Sequence, residues 1–171
     1  LAETPRLRVF EGFLTPAECD WLIARLAGQF QRAQIYTNAA GLATSPTRTN
    51  SEANFLMGAM DMVAALIRER IASAVRIAPE YFEVADLHYE PGQSFSRHID
   101  YFEPRTPALA DEVRRNGQRV ATLLIYLNDD YDGGETEFVD VGVRYRGRKG
   151  DALLFANVDV LGNPDTKSAH P

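Results

Sequence analysis

The hydrophobic rhythm of this chain changes once, near Pro79. Before that point apolar residues recur at helical spacing. After it they come in short runs divided by turn residues. Trp21, Leu22, Leu26 and Phe30 form one stripe with a period of three to four, the mark of an amphipathic helix. Thr15-Pro16-Ala17-Glu18 leads into it. Thr15 can cap, Pro16 suits the first turn, and Glu18 can close a capping box. Met60, Val63, Ala64, Ile67, Ile71 and Val75 predict a second helix over about 56–76. Met57, Met60 and Met62 read as core filler, since methionine fills irregular gaps. Small and polar residues dominate 37–50, which reads as a mobile loop.

Beyond Pro79 the candidate strands are 83–90, 94–99, 119–128, 135–139, 142–146, 151–156 and a last one reaching 168–170. Asp132-Gly133-Gly134 signals a tight turn. Residues 103–118 are charged and turn-rich, and read as a flexible loop. Helices followed by many short strands imply an α+β chain, with the helices packed on a β-sandwich or barrel. The 171 residues suit one domain, and no internal repeat is visible.

Charge and composition then narrow the function. The formal net charge is −6, which argues against nucleic acid as a partner, because such binding rests on neutralising phosphates. No apolar stretch approaches the length of a membrane span. Cys19 is the only cysteine, so an intrachain disulfide and a thiolate zinc site are both excluded. Cys19 itself reads as a small packing residue. Arg144, Arg146, Arg148 and Lys149 form a basic cluster after an acidic one. It reads as solvated hairpins, or as a groove that selects charged peptides.

The three histidines are His88, His98 and His170. His98 and Asp100 are two apart, so on a strand both point to one face, and Arg97 points to the other. With His170 they make two imidazoles and one carboxylate. That set suits a non-haem Fe(II) site with metal positions left open. An H-x-D pair is common by chance, and His98 alone reads as readily as a satisfied polar histidine. His88 alternates away from Tyr89 and reads as structural or surface.

Longer motifs carry a resemblance. Tyr89-Glu-Pro-Gly-Gln93, Phe95-x-x-His98-x-Asp100, Asn116-Gly-Gln-Arg119 and Ala121-Thr-Leu-Leu-Ile-Tyr-Leu-Asn128 occur in order. Gly133-Gly-Glu-Thr136-x-Phe138, Lys149-Gly-Asp-Ala-Leu-Leu-Phe155 and Gly162-x-Pro-Asp165 with Ser168-x-His170 follow. Together they resemble the prolyl 4-hydroxylase branch of the 2-oxoglutarate/Fe(II) dioxygenases, from about residue 9 to the end. Arg48-Thr49-x-Ser51 resembles the family's upstream substrate-side strand.

The resemblance implies a double-stranded β-helix (jelly-roll) core with the N-terminal helices packed on one sheet. It implies Fe(II) on His98, Asp100 and His170. Tyr89 and Tyr126 are similar to the tyrosines lining the 2-oxoglutarate pocket. Thr122 shares a strand face with Tyr126 and joins them. Arg48 is the substrate-side candidate, or a structural ion-pair partner. O2 is the oxidant and ascorbate the expected reductant. The implied reaction is 4-hydroxylation of prolyl residues in a peptide or protein, with succinate and CO2 as co-products.

The family also places a Lys beyond its second histidine to pair with the distal 2-oxoglutarate carboxylate. An unpaired carboxylate in a buried pocket is costly. The chain as written, ending at Pro171 without the family's final strand, is therefore expected to bind 2-oxoglutarate poorly, and a longer natural chain is expected. Within 1–171 the expectation is one catalytic domain of a bacterial-type cytosolic enzyme. The alternatives are a hydroxylase of a free amino acid, a lysyl residue or a small metabolite, and a non-catalytic jelly-roll module for peptide or sugar. Oxidative nucleic-acid demethylation is disfavoured by the net charge.

Overall fold

Residues 121–127 alternate between two environments, and that alternation organises the molecule. A computed structural model describes residues 5–37, 41–54 and 61–171. Its main sheet has the order β1 (Leu7–Phe10), β10 (Ala152–Ala156), β7 (Ala121–Ile125), all antiparallel. Leu7 lies opposite Phe155, and Phe155 opposite Thr122; Val9 lies opposite Leu153, and Leu153 opposite Leu124. Directly paired residues share a face. One face therefore carries Leu7, Val9, Thr122, Leu124, Leu153 and Phe155, and Tyr126 continues it.

A hairpin of β8 (Thr136–Phe138) and β9 (Val143–Tyr145) covers that face. Phe138, Leu153 and Phe155 are fully buried there, with Leu124, Tyr126, Val143 and Tyr145 packed around them. The opposite face takes two helices, α1 (Pro16–Leu26) and α2 (Met62–Val75). Leu14, Cys19 and Ile67 are buried with Leu22, Val63, Ile71, Ile125 and Leu127. Cys19 is thus the packing residue expected.

The capping box forms as read. Glu18 N–H donates to Thr15 Oγ1, and the Glu18 carboxylate accepts from Thr15 N–H at 2.7 Å. The same carboxylate holds Arg70 of α2 at 2.8 Å, which clamps the two helices together. The first helix ends at Leu26, and a left-handed Gly28 (φ 78°) follows, so Phe30 lies outside the helix. Its ring meets His88 instead, at 5.3 Å between centroids. The second helix starts after the Asp61 cap, and the part of the expected span before Asp61 lies outside the described residues. Met62 is 78% exposed and is not core filler, because it occupies the first turn on the solvent side. Met57 and Met60 lie outside the described residues.

Other departures come from strands too short to show a period. A second sheet joins β2 (Gln31–Arg32), β5 (Ser51–Ala53) and β6 (Asp86–His88). A separate hairpin joins β3 (Ile35–Thr37) and β4 (Gly41–Ala43). The segment read as a mobile loop over 37–50 thus holds a strand and ends in bridges from Arg48 to Ser45 and Phe95. Residues 38–40 lie outside the description. The expected loop over 103–118 contains α3 (Pro107–Asn116), with Thr106 capping Leu109 N–H and Pro107 in the first turn. The strands expected over 94–99 and 168–170 shrink to isolated bridges, one of which pairs His98 with His170. Among the described residues no helix is long and apolar enough to cross a membrane.

Candidate metal centre

Two short backbone contacts assemble the site. His98 N–H donates to His170 C=O at 2.9 Å, and His170 N–H donates back to His98 C=O at 3.0 Å. This reciprocal pair joins segments 72 apart (170 − 98). Asp100 follows His98 by two, and the three side chains converge. One ligand atom from each lies within 4.8 Å of the others. His98 Nε2 is 3.3 Å from Asp100 Oδ1, and His170 Nε2 is 4.0 Å from Asp100 Oδ2.

Each ring is oriented by a carbonyl two residues upstream. His98 Nδ1 is 2.9 Å from Ser96 O, and His170 Nδ1 is 2.8 Å from Ser168 O. A carbonyl can only accept, so both Nδ1 atoms carry protons. In the neutral rings both Nε2 lone pairs then face a carboxylate. Two lone pairs against an anion repel unless a cation sits among them, and orientation of ligand imidazoles through their other nitrogen is usual at metal sites. The donor set therefore fits a divalent metal of the Fe(II) kind, with two imidazoles and one carboxylate on one side.

The surroundings reinforce this. His170 is buried between Phe138 (ring centroids 5.6 Å) and Phe155 (4.9 Å). Burial lowers its affinity for a proton, against the opposing pull of Asp100. Burial pushes Asp100 upward, but the two histidines and the Thr122 hydroxyl outweigh it and hold the carboxyl down to about 2. Phe95 stacks on His98 at 3.7 Å between centroids.

The remaining expected residues are spread around this centre. The Thr122 hydroxyl donates to Asp100 Oδ2 at 2.8 Å. Tyr126 points into the covered face, where its hydroxyl lies 2.8 Å from that of Thr136. Burial raises the Tyr126 phenol to about 12. Gly147 makes room for it, since a Cβ there would collide with the Tyr126 ring. Tyr89 is 44% exposed. Its phenol lies within electrostatic range of Arg48 and Asp100, and its hydroxyl makes no hydrogen bond among the described residues.

Arg48 is engaged on every side. It donates to Asn50 Oδ1 (3.1 Å), Gln34 O (2.8 Å) and Glu52 (2.8 Å), and lies 5.0 Å from the Phe95 centroid. Arg97 faces away as expected, and pairs with Asp140 at 2.6 Å. His88 is exposed and bonds Glu90 at 2.9 Å. In the basic cluster Arg144 pairs with Glu137, Arg146 with the carbonyls of Asp129 and Tyr131, and Lys149 with Asp20. These pairings fit solvated hairpins.

Sequence reading missed Thr136, Phe138 and Asn157. Thr136 and Phe138 sit inside a quoted motif, at alternate positions of β8, so the period of two could have paired them. Asn157 had no such signal, because only the β10–β7 register brings it near the site.

Residues 85–166 match the family model of the 2OG-Fe(II) oxygenase superfamily. The match takes in His98 and Asp100 and ends just before His170. Among curated proteins the chain is similar to probable prolyl 4-hydroxylase 4 of Arabidopsis thaliana, at 30% identity over 99% of this chain and 63% of that protein. It is similar to prolyl 4-hydroxylase 1 of the same plant, at 32% over 98% of this chain and 63% of that protein. The chain therefore spans a little under two thirds of the length of these relatives. Among solved structures it shares its fold with the viral collagen prolyl hydroxylase of Paramecium Bursaria Chlorella virus-1 (TM-score 0.67, 22% identity, covering 96% of this chain and 85% of that one). A Pseudomonas putida prolyl-4-hydroxylase also superposes (TM-score 0.60, 17% identity, covering 98% and 85%).

Proposed function

We propose that this chain is the catalytic core of a 2-oxoglutarate- and Fe(II)-dependent dioxygenase that 4-hydroxylates prolyl residues in a peptide or protein. The observation that carries the reading is the pair of imidazoles whose Nδ1–H groups are committed to Ser96 and Ser168 carbonyls. Both Nε2 lone pairs are thereby left facing Asp100. The oxygenase superfamily match and the prolyl 4-hydroxylases among the relatives support the chemistry. In this reading His98, Asp100 and His170 hold Fe(II). The metal, with 2-oxoglutarate and O2, supplies C–H oxidation, and ascorbate serves as reductant.

The protein's own part is orientation and access. Asp100 stays ionised and therefore available as a ligand. His170 stays neutral behind Phe138 and Phe155, which exclude water on that side. Tyr126 and Thr136 place two hydroxyls among the apolar side chains around Phe138. That arrangement suits a carboxylate end of 2-oxoglutarate, since both groups can donate. Tyr89, whose hydroxyl makes no hydrogen bond among the described residues, lies within electrostatic range of Asp100 at the open side and suits the other end of the co-substrate or the substrate itself. Arg48 supports Phe95 and so the wall of His98, beside the substrate path. The sheet β1-β10-β7 and the β8–β9 hairpin are the two halves of the proposed jelly roll, and residues 1–171 form one catalytic unit.

Succinate release tests the reading, on a chain extended past Pro171 through the expected Lys, with Fe(II), ascorbate and 2-oxoglutarate, in the presence and absence of a proline-rich peptide. Peptide-stimulated succinate and a hydroxyproline product are expected, both lost in His98→Ala. Turnover of free proline alone would move the assignment to a small-molecule hydroxylase. Metal binding with no turnover on any substrate would favour a binding module.

A further inference from the structure

Asn157 is fully buried, follows the last residue of β10, and has no place in the chemistry above. Its backbone N–H donates to Val120 O at 3.0 Å, which extends the β10–β7 ladder by one step. The register places Phe155 opposite Thr122, so Asn157 sits diagonally across from Thr122 on the same face. Asn157 Nδ2 is 2.9 Å from Thr122 Oγ1, and Thr122 Oγ1 is 2.8 Å from Asp100 Oδ2.

Only one proton arrangement satisfies this chain. An ionised carboxylate accepts and cannot donate, so the single Thr122 proton goes to Asp100. The Thr122 oxygen is then an acceptor, and Asn157 must present its amide N–H. The other end of the same amide, Oδ1, is buried without a partner among the described residues. A buried amide half-satisfied in this way is unfavourable as packing alone. The backbone of Asn157 also reaches the other ligand arm. Its carbonyl accepts from Asp165 N–H at 2.9 Å, and Asp165 caps the turn whose Ser168 carbonyl orients the His170 ring.

We infer that Asn157 and Thr122 are positioning residues that fix the Asp100 carboxylate for the metal, with Asn157 acting through the Thr122 hydroxyl. The inference rests on the metal-centre reading above. It predicts that the Asn157 amide sets metal affinity without touching metal, co-substrate or substrate. It also predicts that this influence vanishes once the Thr122 hydroxyl is gone.

The test is anaerobic Co(II) titration of the apo chain, followed by d–d absorbance, with thermal melting of each apo variant in parallel. Thr122→Val is expected to weaken Co(II) by ~10–100-fold and Thr122→Ser to stay near wild type, as outer partners of metal ligands usually behave. Asn157→Ala is expected to weaken Co(II) by about tenfold alone and to add nothing in the Thr122→Val background. Asn157→Val, which leaves a smaller void, replaces Asn157→Ala if the alanine variant does not fold. Wild-type affinity in the Asn157 variant, or a full additive loss in the double variant, overturns the inference and leaves the metal centre standing. Co(II) binding unchanged by His98→Ala removes the metal centre itself, a separable result.

Discussion

The two faces of the β1-β10-β7 sheet are built from the same strands and do opposite things. On the helix face, Leu14, Cys19, Ile67, Ile125 and Leu127 make an apolar layer. On the covered face, every few ångströms of hydrocarbon is interrupted by a polar group: Thr122, Tyr126, Thr136, Asn157 and His170. Successive side chains of a strand point to opposite sides. β7 can therefore supply Thr122 and Tyr126 to the site and Ile125 to the helices without compromise. The helix face obtains stability from burial alone. The site face gives up part of that stability to hold polar groups whose partners must come from within, and it leaves Asn157 Oδ1 without one among the described residues, which is costly for a buried polar atom. Stability and chemistry are thereby separated by one residue of register.

The separation can be broken most sharply at the ligands. His98→Ala should abolish triad-dependent Co(II) binding and succinate formation, while the apo melting temperature changes little. Calorimetric titration beside a thermal melt checks this, and a collapsed fold would show that the site face also carries the stability. The mirror experiment is Leu14→Ala on the helix face. Leu14 is 1% exposed, and its truncation should lower unfolding free energy by about 2–5 kcal/mol. Denaturant titration measures the loss, and Co(II) affinity in native buffer should stay within about twofold.

A milder change on the site face is Tyr126→Phe, which keeps the ring and removes the hydroxyl that meets Thr136. Loss of one hydrogen bond to a charged ligand, about 1.5–3 kcal/mol, should raise the 2-oxoglutarate KM more than tenfold. Peptide KM should stay constant; an unchanged 2-oxoglutarate KM would take Tyr126 out of the pocket.

The smallest effect belongs to the clamp between the helices. Glu18 is pulled down to about 2 from the usual carboxylate value, chiefly by its hydrogen bond to Arg70 and against the opposing influence of burial. A carboxylate with a lowered folded-state pKa stabilises the protein above its unfolded pKa. That stabilisation fades as pH falls from about 4.5 towards 2. Glu18→Gln should flatten this part of the stability–pH curve and remove about 0.5–1 kcal/mol at pH 7, as exposed pairs do. Melts from pH 2 to 7 would show it, and parallel curves for the two proteins would dismiss the clamp.

How much of this was legible beforehand depended on length of signal. The capping box at Thr15–Glu18 and the apolar period of the second helix are local, and both formed. The strands over 121–125 and 152–156 were read with their ends overextended. The short strands β1 to β5 escaped notice because two to four residues cannot display a period. The helix over 107–116 reads as a loop in the sequence because as many of its residues are charged as apolar, and none of them is buried in the fold. His98, Asp100 and His170 were legible as chemical types. Tyr126 was placed near Thr136 by the structure and Thr122 against Asp100, neither of which spacing alone could separate.

The sequence by itself determined the ligand chemistry, the start of the first helix and the alternation that sorts β7 into two faces. These depend on residue type and on neighbours within a few positions. Tertiary structure decided what depends on register between distant strands. It set His170 against His98 through a reciprocal backbone pair, and it assigned both imidazole tautomers through carbonyls fixed by the turn at Ser168 and by the backbone bond from Ser96 N–H to Thr47 O. It also brought Asn157 diagonally over Thr122. A one-residue slip of β10 would send Asn157 to the helix face, so its role exists only in the folded sheet.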